Sequence, residues 1–147
     1  MKFRRITPFL WFEGRALDAA KHYCRIFKNA RVLNKSSMGA TIMLDGQVLH
    51  VLNGPRMEAF SSAVSMYVEC KDQKEVDYYY SRLLKGGKAS RCGWLQDKFG
   101  MWWQIIPTVL PQVLNGKDKV GSRRAMEAMM HMVKLDVAKL KAAYRGE

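Results

Sequence analysis

Gly46-Gln47-Val48-Leu49-His50-Val51 and Gly100-Met101-Trp102-Trp103-Gln104-Ile105 are two apolar runs that follow a glycine and bring one polar side chain to the same place, at an offset of 54 residues. A second pair of segments, Tyr23-Cys24-Arg25-Ile26-Phe27-Lys28 and Tyr80-Ser81-Arg82-Leu83-Leu84-Lys85, overlays at an offset of 57. Self-similarity kept over two separate stretches is the mark of an internal repeat, here three residues shorter across the middle of its second copy. The fold is therefore built twice from one unit.

Working outward, each copy shows the same order of elements. Residues 3–12 are β-branched and aromatic in bias and predict a strand. Ala16, Ala19, Ala20, Tyr23, Ile26 and Phe27 then recur at helical spacing. Residues 30–35 suit a further strand, and residues 40–44 and 47–52 form a hairpin across Asp45-Gly46, whose residue types tolerate the positive φ angles of a type I′ turn. The second copy restarts with a strand over 62–69. Asp72, with Glu75 three residues on, resembles a capping box opening a helix whose apolar positions are Val76, Tyr79, Tyr80, Leu83 and Leu84. Gly86-Gly87 closes that helix. A turn-rich stretch through Cys92-Gly93-Trp94 leads to a final strand over 101–106, stopped by Pro107.

Residues 108–147 read as a helical appendix. Ala125, Met126, Met129, Met130 and Val133 form one stripe, and Val137, Leu140 and Tyr144 form another after Asp136 as N-cap. Two such stripes offer more apolar surface than a short tail covers by itself, which predicts a homodimer. The expected organisation is paired modules over 1–107, the first about 1–55 and the second about 62–107. The tail at 108–147 belongs to the same domain or to the dimer interface.

The chain has 147 residues, 48% of them hydrophobic and 26% charged, with a net charge of +12. That composition excludes a mostly disordered chain. No window approaches a membrane span, and the basic start is followed by Pro8 and Glu13 where a signal peptide places its apolar run, so a cytoplasmic location is expected. Cys24, Cys70 and Cys92 lack the spacing of a structural zinc site and read as reduced thiols. The charge excess lies at the two ends, +7 over residues 1–35 and +4 over 117–147. No aromatic RNA-binding motif or recognition helix accompanies it, so nucleic-acid binding ranks last among the functions considered.

Ile6-Thr7-Pro8-Phe9-Leu10-Trp11-Phe12, Asn53-Gly54, the run from Tyr67 to Gln73, the block from Cys92 to Pro111 and the tail run from Lys134 to Tyr144 resemble the demethylubiquinone-methyltransferase-like branch of the vicinal-oxygen-chelate superfamily. That superfamily includes glyoxalase I, extradiol dioxygenases and bleomycin-resistance proteins. The resemblance implies an α+β fold of two βαβββ modules whose mixed sheet cups a small-molecule site, usually in a homodimer. The branch's name implies methyl transfer, but the sequence has no Gly-rich loop between a first strand and a helix of a doubly wound sheet.

In metal-dependent members each module offers one ligand from its first strand and one from its last. Those positions fall near Thr7 and Ala63, and on His50 and Gln104. Only His50 and Gln104 could ligate, too few for a catalytic divalent ion, so no metal or other cofactor is expected. His50 is the best general acid or base, because an imidazole changes charge near neutral pH. Flat walls for a ligand would come from Phe9, Trp11, Trp94 and Trp102, with Thr7, Val48, His50 and Gln104 completing the pocket. Trp102 and Trp103 are adjacent on a strand and face opposite sides, and Trp102 shares the face of Gln104. The leading expectation is a protein that binds a planar aromatic or hydrophobic small molecule over a degenerate metal site. The alternative is a metal-dependent glyoxalase- or dioxygenase-type enzyme, and the sequence alone leaves open whether a reaction is catalysed.

Overall fold

The computed structural model describes residues 5–55 and 59–147. Its first half runs β1 (Phe9–Phe12), α1 (Ala16–Ile26), β2 (Ala30–Lys35), β3 (Gly39–Leu44) and β4 (Gln47–Asn53). The second runs β5 (Met66–Cys70), α2 (Gln73–Leu84), β6 (Lys88–Ala89), β7 (Trp94–Gln96) and β8 (Trp102–Pro107), followed by α3 (Val109–Leu114), α4 (Lys119–Met130) and α5 (Val137–Arg145). The order β1-β4-β3-β2 in one four-stranded sheet is repeated as β5-β8-β7-β6 in the other. In each, the first strand lies parallel to the last and the remaining pairs are antiparallel. These are two βαβββ modules with a helical tail, and the chain divides into two compact units, Met1–Ala59 and Phe60–Glu147.

In the first unit the hairpin turn is as the sequence predicts, with Asp45 and Gly46 at φ 46° and 89°. Strand alternation puts Leu10, Phe12, Ile42, Leu49 and Val51 on one face, all buried, with α1 presenting Ala16, Ala19, Ala20, Tyr23 and Ile26 as its buried stripe. Burying a Leu, Ile or Val side chain is worth at most about 1.5–3 kcal/mol, so this layer dominates the stability of the unit. The Asn53-Gly54 pair has two jobs. Asn53 Oδ1 accepts the Ala16 N–H at 2.8 Å, supplying the cap that Arg15 lacks. A Cβ on Gly54 would stand 2.8 Å from the Trp11 ring, so only glycine leaves that indole its place.

The first strand is shorter than the 3–12 expected from composition; residues 3 and 4 lie outside the described residues. Regular pairing starts at Phe9 because Pro8 has no N–H to donate, although its carbonyl accepts from His50 N at 3.0 Å. The strand expected over 62–69 begins only at Met66. Ser61 folds the preceding residues into a turn, its Oγ accepting from Ala63 N and its carbonyl from Val64 N.

The α2 cap forms as predicted. Asp72 Oδ1 accepts from Glu75 N at 2.9 Å, while Glu75 Oε2 accepts from Lys71 N at 2.9 Å. Gly86, at φ 81°, ends the helix. The stretch read as turns contains β6 and β7, too short to show a period of two in sequence. The loop before β8 is organised by Asp97, which is 3% exposed and accepts from Phe99 N, Met101 N and Trp103 Nε1 at 2.8, 3.0 and 2.8 Å.

The tail packs on its own module. Leu135 and Leu140 join Ile106 and Leu110 in one buried cluster, with Met129 and Met132 against it. Cys92 N and Gly93 N donate to the carbonyls of Met132 and Val133. Gln73 donates to the Leu135 carbonyl and accepts from Val137 N at 2.8 Å, so the first residue of α2 holds the segment entering α5. The expected Met stripe is divided: Ala125 is buried, whereas Met126, Met130 and Val133 remain exposed. Leu135, outside either stripe, is the anchor. Among the described residues no helix is long and apolar enough to cross a membrane.

Candidate functional site

The face of the first sheet turned away from the Leu49 and Val51 layer carries the predicted residues of that module. Pairing places His50 between Phe9 on β1 and Thr41 on β3, with Trp11 opposite Leu52 one pair along. Thr41 Oγ1 lies 3.0 Å from His50 Nδ1, which holds the imidazole by one nitrogen and leaves Nε2 to meet a ligand. The Phe9 ring is 6.1 Å from the imidazole and meets Trp11 edge-on at 6.1 Å. Phe9 and Trp11 are 53% and 43% exposed. Phe9, Thr41, His50 and Leu52 line a concavity of about 150 Å³, closed on one side by Asn34, Lys35 and Ser36. Val48 shares this face but is buried, and Thr7 precedes β1, half-buried and outside the concavity.

On the second sheet Gln104 stands between Tyr67 and Trp94, and Trp102 pairs with Gln96 on the same face. Trp103 takes the opposite face, 2% exposed, with its N–H spent on Asp97. The two tryptophans were thus separable by alternation alone. The Gln104 amide donates to Ser65 Oγ at 2.9 Å, and Gln104 does not line the cavity beside it. That cavity, about 390 Å³, is bordered by Trp94 and Trp102 together with Ser62, Ser90, Arg91, Cys92 and Met130. Arg91 and Met130 carried no sequence signal, one being a lone charge before a turn and the other part of a stripe that reads as packing.

Register fixes which positions of the two modules correspond. Because Phe9 pairs with His50 and Tyr67 with Gln104, the counterpart of Thr7 is Ser65, not Ala63, which lies in the turn before β5. Among the described residues the two last-strand side chains hydrogen-bond to the hydroxyls of Thr41 and Ser65, and Tyr67 pairs with Gln104. Burial, with Glu69 and Cys70 nearby, pushes the Tyr67 phenol up, away from the phenolate a metal would bind. The His50 and Gln104 side chains already hold Thr41 and Ser65, and among the described residues no three of His, Cys, Asp or Glu come together. A catalytic zinc generally takes three protein ligands, and harder ions take several oxygens. Burial raises the Cys24 thiol, and burial with Glu75, Asp72 and Glu69 pushes Cys70 up to about 12, away from the thiolate a metal would bind.

A family profile described as 3-demethylubiquinone-9 3-methyltransferase matches residues 4–106, more than two thirds of the chain. The chain belongs to this family. The match stops before α3, so the tail lies outside the shared region. A PhnB protein of Bacillus cereus superposes with a TM-score of 0.67 at 27% identity, covering 71% of this chain and 100% of that one. A glyoxalase-related enzyme of Fulvimarina pelagi gives 0.54 at 14% identity over 73% and 91%. The fosfomycin resistance protein FosX of Listeria monocytogenes, in complex with Mn(II) and sulfate, gives 0.52 at 14% over 70% and 88%. No curated protein matches the sequence. The fold is thus the glyoxalase-like α+β fold of the vicinal-oxygen-chelate superfamily. Each sheet has a single parallel pair, unlike a doubly wound parallel sheet.

Proposed function

We propose that this family member binds a small aromatic or hydrophobic molecule on the open face of its first module, as a binding or sequestering protein. One observation carries the reading: Phe9 and Trp11 stay half exposed beside a histidine already oriented by Thr41. Apolar side chains with a few polar groups are the usual make-up of a ligand site; here Phe9 and Leu52 stand beside His50, Thr41 and the polar edge at 34–36, and about 150 Å³ is the size of a cavity that accepts a single aromatic ring. His50 would meet a hydroxyl or carbonyl of the ligand through Nε2. The protein would work in the cytoplasm, where free Cys24, Cys70 and Cys92 stay reduced, and as a homodimer covering exposed apolar side chains such as Val32, Leu33 and Met126.

The test is a titration with phenol followed by amide NMR. Signals from β1, β3 and β4 should move, and Phe9→Ala should weaken binding by roughly tenfold, taking aromatic stacking at about 1–3 kcal/mol as the yardstick. Shifts confined to other parts of the chain would refute the site.

A further inference from the structure

We infer that the second module carries a separate binding cavity for a small aromatic anion, an arylcarboxylate, formed between its sheet and the C-terminal tail. The cavity of about 390 Å³ falls within the range of small-molecule sites, roughly 300–1,000 Å³. Its walls are two indoles and a thioether, Trp94, Trp102 and Met130, and its charged lining residue is Arg91. Among the described residues no carboxylate borders it.

Two polar groups there are unspent. The Trp102 indole N–H is buried without a partner, and a buried donor with no acceptor is destabilising until something supplies one. Arg91 makes no ion pair or side-chain hydrogen bond among the described residues. A guanidinium presents a planar fork that matches a carboxylate, and an indole N–H can only donate. The guanidinium therefore suits an anionic acceptor, while flat apolar walls call for an aromatic body.

The cavity is built rather than incidental. Arg91 enters a turn in which Cys92 and Gly93 take φ 57° and 83°, and their N–H groups donate to Met132 and Val133, just beyond Met130. A Cβ on Gly93 would come within 2.7 Å of the Ile105 carbonyl, so that position takes only glycine. The same two hydrogen bonds tie the loop that bears the cation to the end of the helix that bears the thioether. Met130 lies beyond residues 4–106, the stretch that the family profile matches.

The experiment compares 2-naphthoate with the isosteric neutral 2-naphthamide by calorimetry on the whole chain. Naphthoate should bind at least tenfold more tightly than the amide. Arg91→Gln, at an exposed position, should remove that preference, and Trp102→Phe, which keeps a ring and deletes the N–H, should weaken naphthoate severalfold. Equal binding of acid and amide, no binding of naphthoate, or an affinity that Arg91→Gln leaves intact would overturn the inference. Loss of naphthoate binding in His50→Ala would overturn it too and assign the ligand to the first module.

Discussion

The two modules share strand order and pairing, yet they spend the open faces of their last strands differently. His50 has Thr41 beside it on β3 and hydrogen-bonds to it, whereas Gln104 has an indole, Trp94, at the equivalent place and turns the other way to Ser65. On the opposite face the positions stay large and apolar in both, Leu49 and Val51 against Trp103 and Ile105. A helix packs there, and close packing tolerates only small changes of shape. The open face is under no such constraint. A duplicated scaffold therefore keeps its core pattern and diverges where a ligand could touch it.

The second module also carries a tail that the first has no equivalent of, and removing its anchor should give the largest effect. Leu135 is fully buried, so Leu135→Ala should cost about 3–4 kcal/mol in urea denaturation, within the range for core leucines. A loss below about 1 kcal/mol would mean that the tail is held by its hydrogen bonds and not by this cluster.

The turns before the last strands sharpen the contrast. Asp97→Ala strands three donors inside the β7–β8 loop and should cost about 2–3 kcal/mol. Asp45→Ala at the two-residue turn loses only a residue type that tolerates φ 46°, and should cost about 1 kcal/mol. Equal losses at the two aspartates would show that the turns do the same work.

The smallest effect concerns acid. The Lys134 ammonium, 2.6 Å from Asp77, and the Gln73 amide hold the Asp77 carboxyl below the usual carboxylate range. A depressed folded-state value adds stability that is present above the unfolded value, about 3.9, and is lost as pH falls through the folded one. The pair is exposed, so Lys134→Met should cost no more than about 1 kcal/mol at pH 6 and nothing measurable near pH 2. A difference that persists at low pH would assign the effect to packing of the lysine stem.

Much of this was legible in the sequence for physical reasons. The Asp45-Gly46 turn, the Asp72 and Asp136 caps and the α1 stripe are local chemistry, and local chemistry shows in one sequence. The opposite facing of Trp102 and Trp103 follows from strand alternation. Ala63 was misplaced as a first-strand position because the register of β5 is set by pairing with β8, a long-range fact that overlaying two helices cannot supply. Arg91 stayed invisible for a similar reason. Its place beside Trp102 and Met130 depends on a left-handed turn at Cys92 and on carbonyls some 40 residues away.

The proposal at the centre is that this glyoxalase-like scaffold binds small molecules without a metal centre. Its most direct test is the metal content of the purified chain after incubation with Mn(II), Ni(II) and Zn(II) and dialysis, read by mass spectrometry. The account predicts well below one equivalent of any of them, with no difference between the native chain and His50→Ala. About one equivalent per chain, released by His50→Ala, would contradict it and place the metal chemistry of the superfamily back in this protein.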